Sequence, residues 1–339
     1  IKHYSGGNGT PSEQHYFKPG ITYSNVKGKH GRRFGLLSGD SIFGHKGSVV
    51  LPDRNLLELL AYANSAVGTY LMLAQTPDRM WEVGEVAKLP WFESLGDDQL
   101  ETASQDILGL LASLRQFQFT SPYYSGPVLL KLLGHTYTPY SHSEHPHRSL
   151  LRKTALTDPE SQLPAASLSD LTDAAQQFRD DVQEAIRSRA ADINSRVYDL
   201  LDLSEKQQEI IEQELRIRYG EAGLTPFAEG IQDDEEDDEE ELDFGDTNTL
   251  VKQMLLHLTF EIMEEDDDGI VLLRAESEEE EADLLAKMMA KFEDIWGEYA
   301  EDRLQEVDDV LGNREPTNEP YPNLRHWLEN DLFAFHCDE

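Results

Sequence analysis

The chain has few cysteines and no long uninterrupted apolar run. Among its 339 residues the single cysteine is Cys337, which excludes an internal disulfide framework and a zinc site built from several cysteines. The best apolar run, 56–74, is interrupted by Glu58, Asn64 and Ser65, whereas a bilayer-spanning helix needs about 20 mostly apolar residues. The start of the chain carries no signal-peptide pattern. These absences predict a cytoplasmic protein that does not associate with membranes.

Basic residues are also scarce. The chain has 29 Lys and Arg against 66 Asp and Glu, a net charge of −37, and only 12 of its cations are lysines. The carboxylates are spread along the chain, and such a surface stays hydrated in concentrated salt, where self-repulsion is screened. We therefore predict a halophilic source. The alternative is an acidic protein that mimics DNA or binds a basic partner.

One stretch, residues 16–46, reverses this charge, and we call it the basic segment. It holds six cations and one acid, Asp40, for a net charge of +5; the cations are Lys18, Lys27, Lys29, Arg32, Arg33 and Lys46. Aromatic residues lie between them: Tyr16, Phe17, Tyr23, Phe34 and Phe43. Clustered cations with interleaved aromatics favour a nucleic-acid contact surface. The alternative is a loop-rich sheet whose cations only balance local acids.

Short β-type runs and one helix make up the first part of the chain. Strands are predicted at 34–37, 41–43 and 48–51, because each run is bounded by Gly, Asp or Pro. Apolar residues three or four apart from Leu56 to Leu71 predict one helix, with Asp53 as its cap. A short strand and a proline stop are predicted between Trp81 and Trp91.

The rest of the chain is predicted to be mostly helical. Helices are expected at 98–117, from about Ser167 to Leu200, from the capping-box pair Ser204 and Gln207 to Gly220, at 250–263 and at 282–310. The acidic run 232–246 repels itself and is predicted to be a linker. The expected fold class is α+β: a small mixed α/β domain, then long helices, then an acidic, mostly helical C-terminal region. The predicted domains are 1–95, 96–225, 226–247 as a linker, and 248–339.

An ordered set of segments in the first domain resembles a known family. The set comprises Tyr16-Phe-Lys-Pro-Gly-Ile-Thr-Tyr23, the basic segment, a helix containing Ala63-Asn-Ser65, and Trp81-Glu-Val-Gly-Glu-Val86 running to Leu89-Pro90. It resembles the target-recognition region of PglX-type adenine-specific DNA methyltransferases of BREX phage-defence systems. DISARM and fused restriction–modification methyltransferases share the pattern. The resemblance is strongest over about residues 14–92; segments at 120–124 and 198–212 extend it to about 220.

The resemblance implies that residues 1–95 recognise double-stranded DNA. Lys18, Lys27, Lys29, Arg32, Arg33 and Lys46 are then the expected DNA contacts. Tyr16, Phe17 and Tyr23 are expected to pack inside the recognition fold. The expected partners are double-stranded DNA, a catalytic methyltransferase domain or subunit, and other subunits of a defence system. The acidity would suit a haloarchaeal member of the family.

The catalytic motif of such methyltransferases is missing from the sequence. Adenine methylases hold the flipped base against an Asn/Asp/Ser-Pro-Pro-Tyr/Phe turn, and Ser121-Pro-Tyr-Tyr124 lacks the second proline. No strand followed by a glycine turn offers a site for S-adenosylmethionine. We therefore expect no methylation by this chain alone, and expect that cofactor in a catalytic domain located upstream or on another subunit. The first residue, Ile1, is consistent with a portion of a longer polypeptide.

Other candidate sites are weaker, and two other functions stay open. The cluster of His135, His142, Glu144, His145 and His147 has loose spacing and two prolines, so we interpret it as a loop rather than a metal site. No metal site and no catalytic residue is predicted. The main alternative function is a non-catalytic acidic protein-interaction module. The other is a split restriction–modification specificity subunit acting in trans.

Overall fold

The computed structural model describes residues 15–24, 34–37, 39, 41–43, 47–76, 81, 83–121, 123–135, 158–225, 244, 246–274, 282–312 and 320–338. These residues form two compact units. The first unit contains the described residues of Ile1–Ala112 and of Gln183–Glu239. The second contains those of Ser113–His142, Leu156–Val182 and Glu240–Glu339. The overall content, a small sheet near the N-terminus followed by long helices, confirms the α+β class.

The sheet of the first unit has three antiparallel strands in the order β2-β1-β3. They are β1 (Gly20–Ser24), β2 (Phe34–Leu37) and β3 (Gly47–Val50). In β1, Ile21 and Tyr23 are both buried, as the two-residue period of a strand predicts when one face covers a core. The prediction of strands at 34–37 and 48–51 is confirmed. The predicted strand at 41–43 is wrong, because these residues form no ladder.

Helices account for most of the remaining described residues. They are α1 (Leu56–Ala63), α2 (Ala66–Gln75), α3 (Val83–Val86), α4 (Asp98–Arg115), α5 (Val128–Leu132), α6 (Leu168–Leu200), α7 (Glu205–Tyr219), α8 (Thr247–Glu265), α9 (Leu284–Trp296), α10 (Ala300–Leu311), α11 (Pro322–His326) and α12 (Leu332–Asp338). A π-helical turn, Trp327–Asp331, joins the last two.

Several helix predictions are confirmed and others are corrected. Helix α4 and helix α6 match the apolar periodicity, and Gln207 accepts the backbone N–H of Ser204 at 2.9 Å at the start of α7. The predicted strand between Trp81 and Trp91 is wrong, since α3 forms there. The single helix predicted from Leu56 to Leu71 is two helices bent by 68°.

Two further helix predictions are wrong, one at the start of α1 and one at Gly297. Asn55 in a left-handed conformation precedes α1, so Asp53 does not cap it. The helix predicted over 282–310 breaks at Gly297, whose φ of 56° suits glycine and ends α9.

The acidic linker prediction falls on residues 226–243 and 245, which lie outside the described residues, whereas Phe244 is buried.

Within the described residues, no single helix is long and apolar enough to cross a bilayer. Helices α1 and α2 pass that test of length and composition only when taken together.

The bend between α1 and α2 is held by a buried polar turn. The Asn64 side chain accepts the Phe34 N–H at 3.0 Å and donates to the Phe34 carbonyl at 2.8 Å, so it pairs with β2 as a neighbouring strand would. The Ser65 hydroxyl accepts the Gly68 N–H at 3.1 Å and caps α2. At Gly68 an added Cβ would lie 2.2 Å from the Tyr62 carbonyl, which explains why glycine is required there.

Helix α6 contributes polar side chains to the first unit through its second half. Asn194 accepts the Ala66 N–H at 2.7 Å and donates to the Leu224 carbonyl at 2.5 Å. Arg196 binds the Asp97 carboxylate with two nitrogens, at 3.1 and 2.5 Å. Because Asp97 also accepts the first free N–H groups of α4, this carboxylate joins a helix cap to α6.

The second unit packs its helices around an aromatic core. Phe292 and Trp296 of α9 stack with ring centroids 4.6 Å apart, and Trp296 is fully buried. The buried Asp308 carboxylate of α10 accepts the backbone N–H groups of Asn323 and Leu324, both at 2.8 Å. It therefore caps the N-terminus of α11, where helix amides lack intrahelical partners.

We expect Asn64→Ala to destabilise the protein by about 2–4 kcal/mol, because it leaves a buried donor and a buried acceptor of Phe34 without partners. Urea unfolding measures the loss, and hydrogen exchange at the Phe34 amide measures it locally. The exposed Gln99→Ala is the control, since it also removes an amide. Unchanged protection of the Phe34 amide in Asn64→Ala would contradict this role.

The Arg196 guanidinium beside Asp97 holds the pKa of that carboxyl below its ordinary value of 3.8. A carboxyl with a lowered pKa stabilises the folded state above its ordinary pKa, and this stabilisation is lost as pH falls through the lowered pKa. We therefore expect Asp97→Asn to be less stable at neutral pH and to lose less stability on acidification below about pH 4. Unfolding midpoints across pH, with the exposed Asp98→Asn as control, test this. Parallel acid curves for Asp97→Asn and the parent chain would contradict it.

Candidate nucleic-acid interface

The register of the sheet relates the parts of the basic segment to one another. Tyr23 pairs with Phe34 and Ser24 pairs with Gly47, so the start of β2 and the start of β3 flank the end of β1. In sequence, Arg33 directly precedes Phe34 and Lys46 directly precedes Gly47. The sequence positions of two predicted DNA contacts therefore adjoin the same end of the sheet.

Of the six predicted DNA contacts, the structure describes Lys18, which is exposed. It lies two residues before β1, at the other end of the sheet. Lys27, Lys29, Arg32, Arg33 and Lys46 lie outside the described residues. Four steps of about 3.3 Å each separate Gly20 from Ser24, the two end residues of β1, by about 13 Å.

Gly20 in the Phe-Lys-Pro-Gly motif is required by a close approach. A Cβ added at this position would lie 2.6 Å from the Leu51 side chain and 2.7 Å from the Val50 carbonyl oxygen. Such distances force the neighbouring strand to move. The motif therefore fixes how β1 enters the sheet beside β3.

The residues before β1 form a short pair with the segment 41–43. The Phe17 N–H donates to the Ser41 carbonyl at 3.2 Å, and the Tyr16 ring meets the Phe43 ring edge to face at 5.0 Å. Tyr16 is half-buried in this contact and Tyr23 is buried, which confirms that both pack within the unit.

Phe17 departs from that expectation. Its side chain is 61% exposed, and its φ of 60° lies in the left-handed region. For a bulky residue this conformation costs about 1–2 kcal/mol. Ile42, the residue after the Ser41 carbonyl that Phe17 binds, is 52% exposed. The prediction that Phe17 packs in the recognition fold is wrong, because the short pair turns Tyr16 and Phe43 inward and leaves Phe17 and Ile42 outward. No sequence pattern distinguishes the two orientations.

An apolar cleft of about 550 Å³ lies between the sheet and the helices of the first unit. Tyr23, Phe34 and Trp91 supply its aromatic walls, with Asp53 and Arg54 also lining it. Arg54 is exposed and reaches Glu93 at 3.5 Å. The cleft fits an apolar or planar group better than a charged one. Its described lining has no His, Cys, Ser or Lys.

The second unit contains a polar cavity of about 230 Å³ that the sequence analysis missed. Its buried centre is His257, which contacts the Tyr124 hydroxyl at 2.9 Å and the Glu261 carboxylate at 3.3 Å. The hydrogen bond from His257, aided by Lys291, lowers the pKa of Glu261. The i, i+4 spacing of His257 and Glu261 on one helix is the signal that could have identified this network.

Two residues from motifs noted in the sequence lie at this cavity or contact a residue that lines it. Tyr124, the end of the incomplete methylase-like tetrapeptide, follows helix α4 rather than a strand, and its ring is buried against His257. His135 lines the cavity and is exposed. The other members of the predicted histidine cluster, at 142, 144, 145 and 147, lie outside the described residues. Among the described residues no group of three His, Cys, Asp or Glu side chains could hold a metal ion.

Comparison with known proteins does not assign a family to this arrangement. No protein-family model matches the chain, and no curated protein matches it either. A function for this chain is therefore inferred from its residues and from the geometry of the described units.

Two glycines of the resembling segments are expected to respond oppositely to alanine. Gly20→Ala should destabilise the protein by about 1–3 kcal/mol, because its Cβ would collide with the Val50 carbonyl. Gly84→Ala should be neutral or stabilise by up to about 1 kcal/mol, because nothing lies within 4 Å of the added Cβ and alanine favours a helix. Thermal unfolding of both variants tests this pair. Equal midpoints would contradict the close packing of β1.

Proposed function

We propose that this chain is the DNA-binding specificity portion of a site-specific adenine-N6 DNA methyltransferase. The first unit would recognise double-stranded DNA for phage defence or restriction–modification. The methylation step would belong to a catalytic domain that binds S-adenosylmethionine, upstream in the same polypeptide or on another subunit. The cytoplasm, where host DNA is found, is the expected location.

The observation that supports this proposal most is the charge of one end of the sheet. Five of the six cations of the basic segment occupy, in sequence, the connection between β1 and β2 and the residue before β3. The strand register joins both of these at the same end. These five cations, on a chain with a net charge of −37, favour a polyanion near that end, whereas the acidic remainder of the chain repels it.

The acidity limits how this chain would bind DNA. Each phosphate contact loses affinity as salt rises, with a slope of about −0.9 per neutralised phosphate in a plot of log K against log salt. For a halophilic protein, phosphate contacts would orient the duplex, whereas base and apolar contacts would supply most of the affinity. Salt dependence therefore separates the two kinds of contact.

The test is binding of the full chain to labelled duplex DNA of mixed sequence across a potassium chloride series. We expect Arg32→Glu with Arg33→Glu to weaken binding by at least about tenfold at low salt and to flatten the salt dependence. Lys88→Glu with Arg187→Glu is the matched control. It makes the same change in net charge at two exposed cations that face Glu85 and Glu184.

Circular dichroism at each salt concentration verifies that the chains are folded. Equal loss of binding in the test and control variants would mean that net charge alone matters, which contradicts a defined interface. No binding by the folded parent chain at low salt would contradict the proposal. The chain would then fit the alternative of an acidic module that binds a basic protein.

A further inference from the structure

We propose that Phe17 inserts between adjacent base pairs of the bound duplex as an apolar wedge, with the exposed Ile42 as a second apolar group of the same surface. This inference rests on the proposed DNA-binding function and adds a residue to it. Apolar side chains that enter a base step unstack it and kink the duplex. None of the predicted phosphate contacts has this role.

The position of Phe17 is specified by the structure around it. Its N–H donates to the Ser41 carbonyl at 3.2 Å, and the ring of the preceding residue, Tyr16, meets the Phe43 ring at 5.0 Å. Ile42, between Ser41 and Phe43, is exposed. The backbone of Phe17 is thus fixed by its own hydrogen bond and by the ring contact of its neighbour, while its ring stays exposed.

The backbone of Phe17 supports a functional reason for this exposure. A phenylalanine at a φ of 60° is strained, and glycine would adopt the same conformation at no cost. Strained non-glycine residues persist where the surroundings fix them, and they are common at ligand-binding sites. Here the strained backbone carries an aromatic ring that is mostly exposed and therefore contributes little to packing.

Charge identifies the occupant as DNA rather than an apolar protein surface. The exposed Lys18 follows Phe17 directly, and both belong to the basic segment of net charge +5. Ser24, after which the connection with four of the cations begins in sequence, lies about 13 Å from Gly20 along β1. That distance equals the rise of about four base pairs. The wedge before β1 and the cations after it would therefore contact one duplex several base pairs apart.

An apolar wedge also suits a protein whose phosphate contacts are weakened by salt. Stacking releases no condensed counterions, so its contribution should not fall with salt as that of phosphate contacts does. The ratio of dissociation constants between a wedge variant and the parent chain should therefore stay constant as salt rises. The corresponding ratio for the Arg32 and Arg33 variant should shrink.

The experiment compares the full chain with Phe17→Ala, Phe17→Gly and Phe17→Trp. Short duplexes each carry one 2-aminopurine at a different step, including TA steps, which unstack readily. We expect the parent chain and Phe17→Trp to raise the fluorescence at one step. Phe17→Ala and Phe17→Gly should lose this rise and about tenfold in affinity, a loss independent of salt. Phe92→Ala, an exposed phenylalanine with an ordinary φ of −111°, is the control.

Stability separates a wedge from a packing residue. Phe17→Gly relieves the backbone strain, so its unfolding midpoint should equal or exceed that of the parent chain; a lower midpoint would overturn the inference. DNA binding by the parent chain, with the same affinity and fluorescence in Phe17→Ala, would overturn the wedge and leave the proposed function standing. No DNA binding by the parent chain would overturn both.

Discussion

The first unit depends on the buried turn Ala63-Asn-Ser-Ala66. One amide side chain, that of Asn64, pairs with both backbone groups of Phe34 and so attaches helix α1 to the edge of the sheet. The next residue caps α2, and the Ala66 N–H after it binds Asn194 of α6. Because an unpaired buried polar group costs free energy, each bond constrains its neighbours. This turn therefore fixes where β2 begins relative to α1 and α2.

The distribution of charge imposes the second constraint. A chain of −37 repels a polyanion over most of its length, so a surface that bound DNA, as proposed, would need to concentrate its cations and supplement them with contacts that salt does not weaken. The exposed, strained Phe17 before β1 and the cations that follow β1 in sequence are compatible with that requirement. The polar cavity around His257 is different in kind, because its buried groups are paired with one another.

Much of the secondary structure could be predicted from local patterns. Apolar spacing predicted α4 and α6, and Ser204 with Gln207 predicted the start of α7. Predictions failed where tertiary contacts outweighed local preference. Residues 41–43 look like a strand but join no sheet ladder among the described residues, and residues 83–86 form a helical turn instead of a strand. The bend at Asn64 was missed because apolar periodicity continues through it, whereas its cause is a side chain bonded to a distant strand.

The candidate site, like the fold, could be predicted from the sequence only in part. The sequence by itself determined the charge of the basic segment, the lack of a methylase tetrapeptide, the absence of a cysteine framework and the helical character of most of the chain, because these depend on composition and short-range spacing. Only the tertiary structure decided that Phe34 and Gly47 flank the same end of β1, that Gly20 is required by the Val50 carbonyl, and that Phe17 is turned outward while Tyr16 is turned inward. These features depend on strand register and on contacts between residues far apart in the chain, which no local pattern encodes.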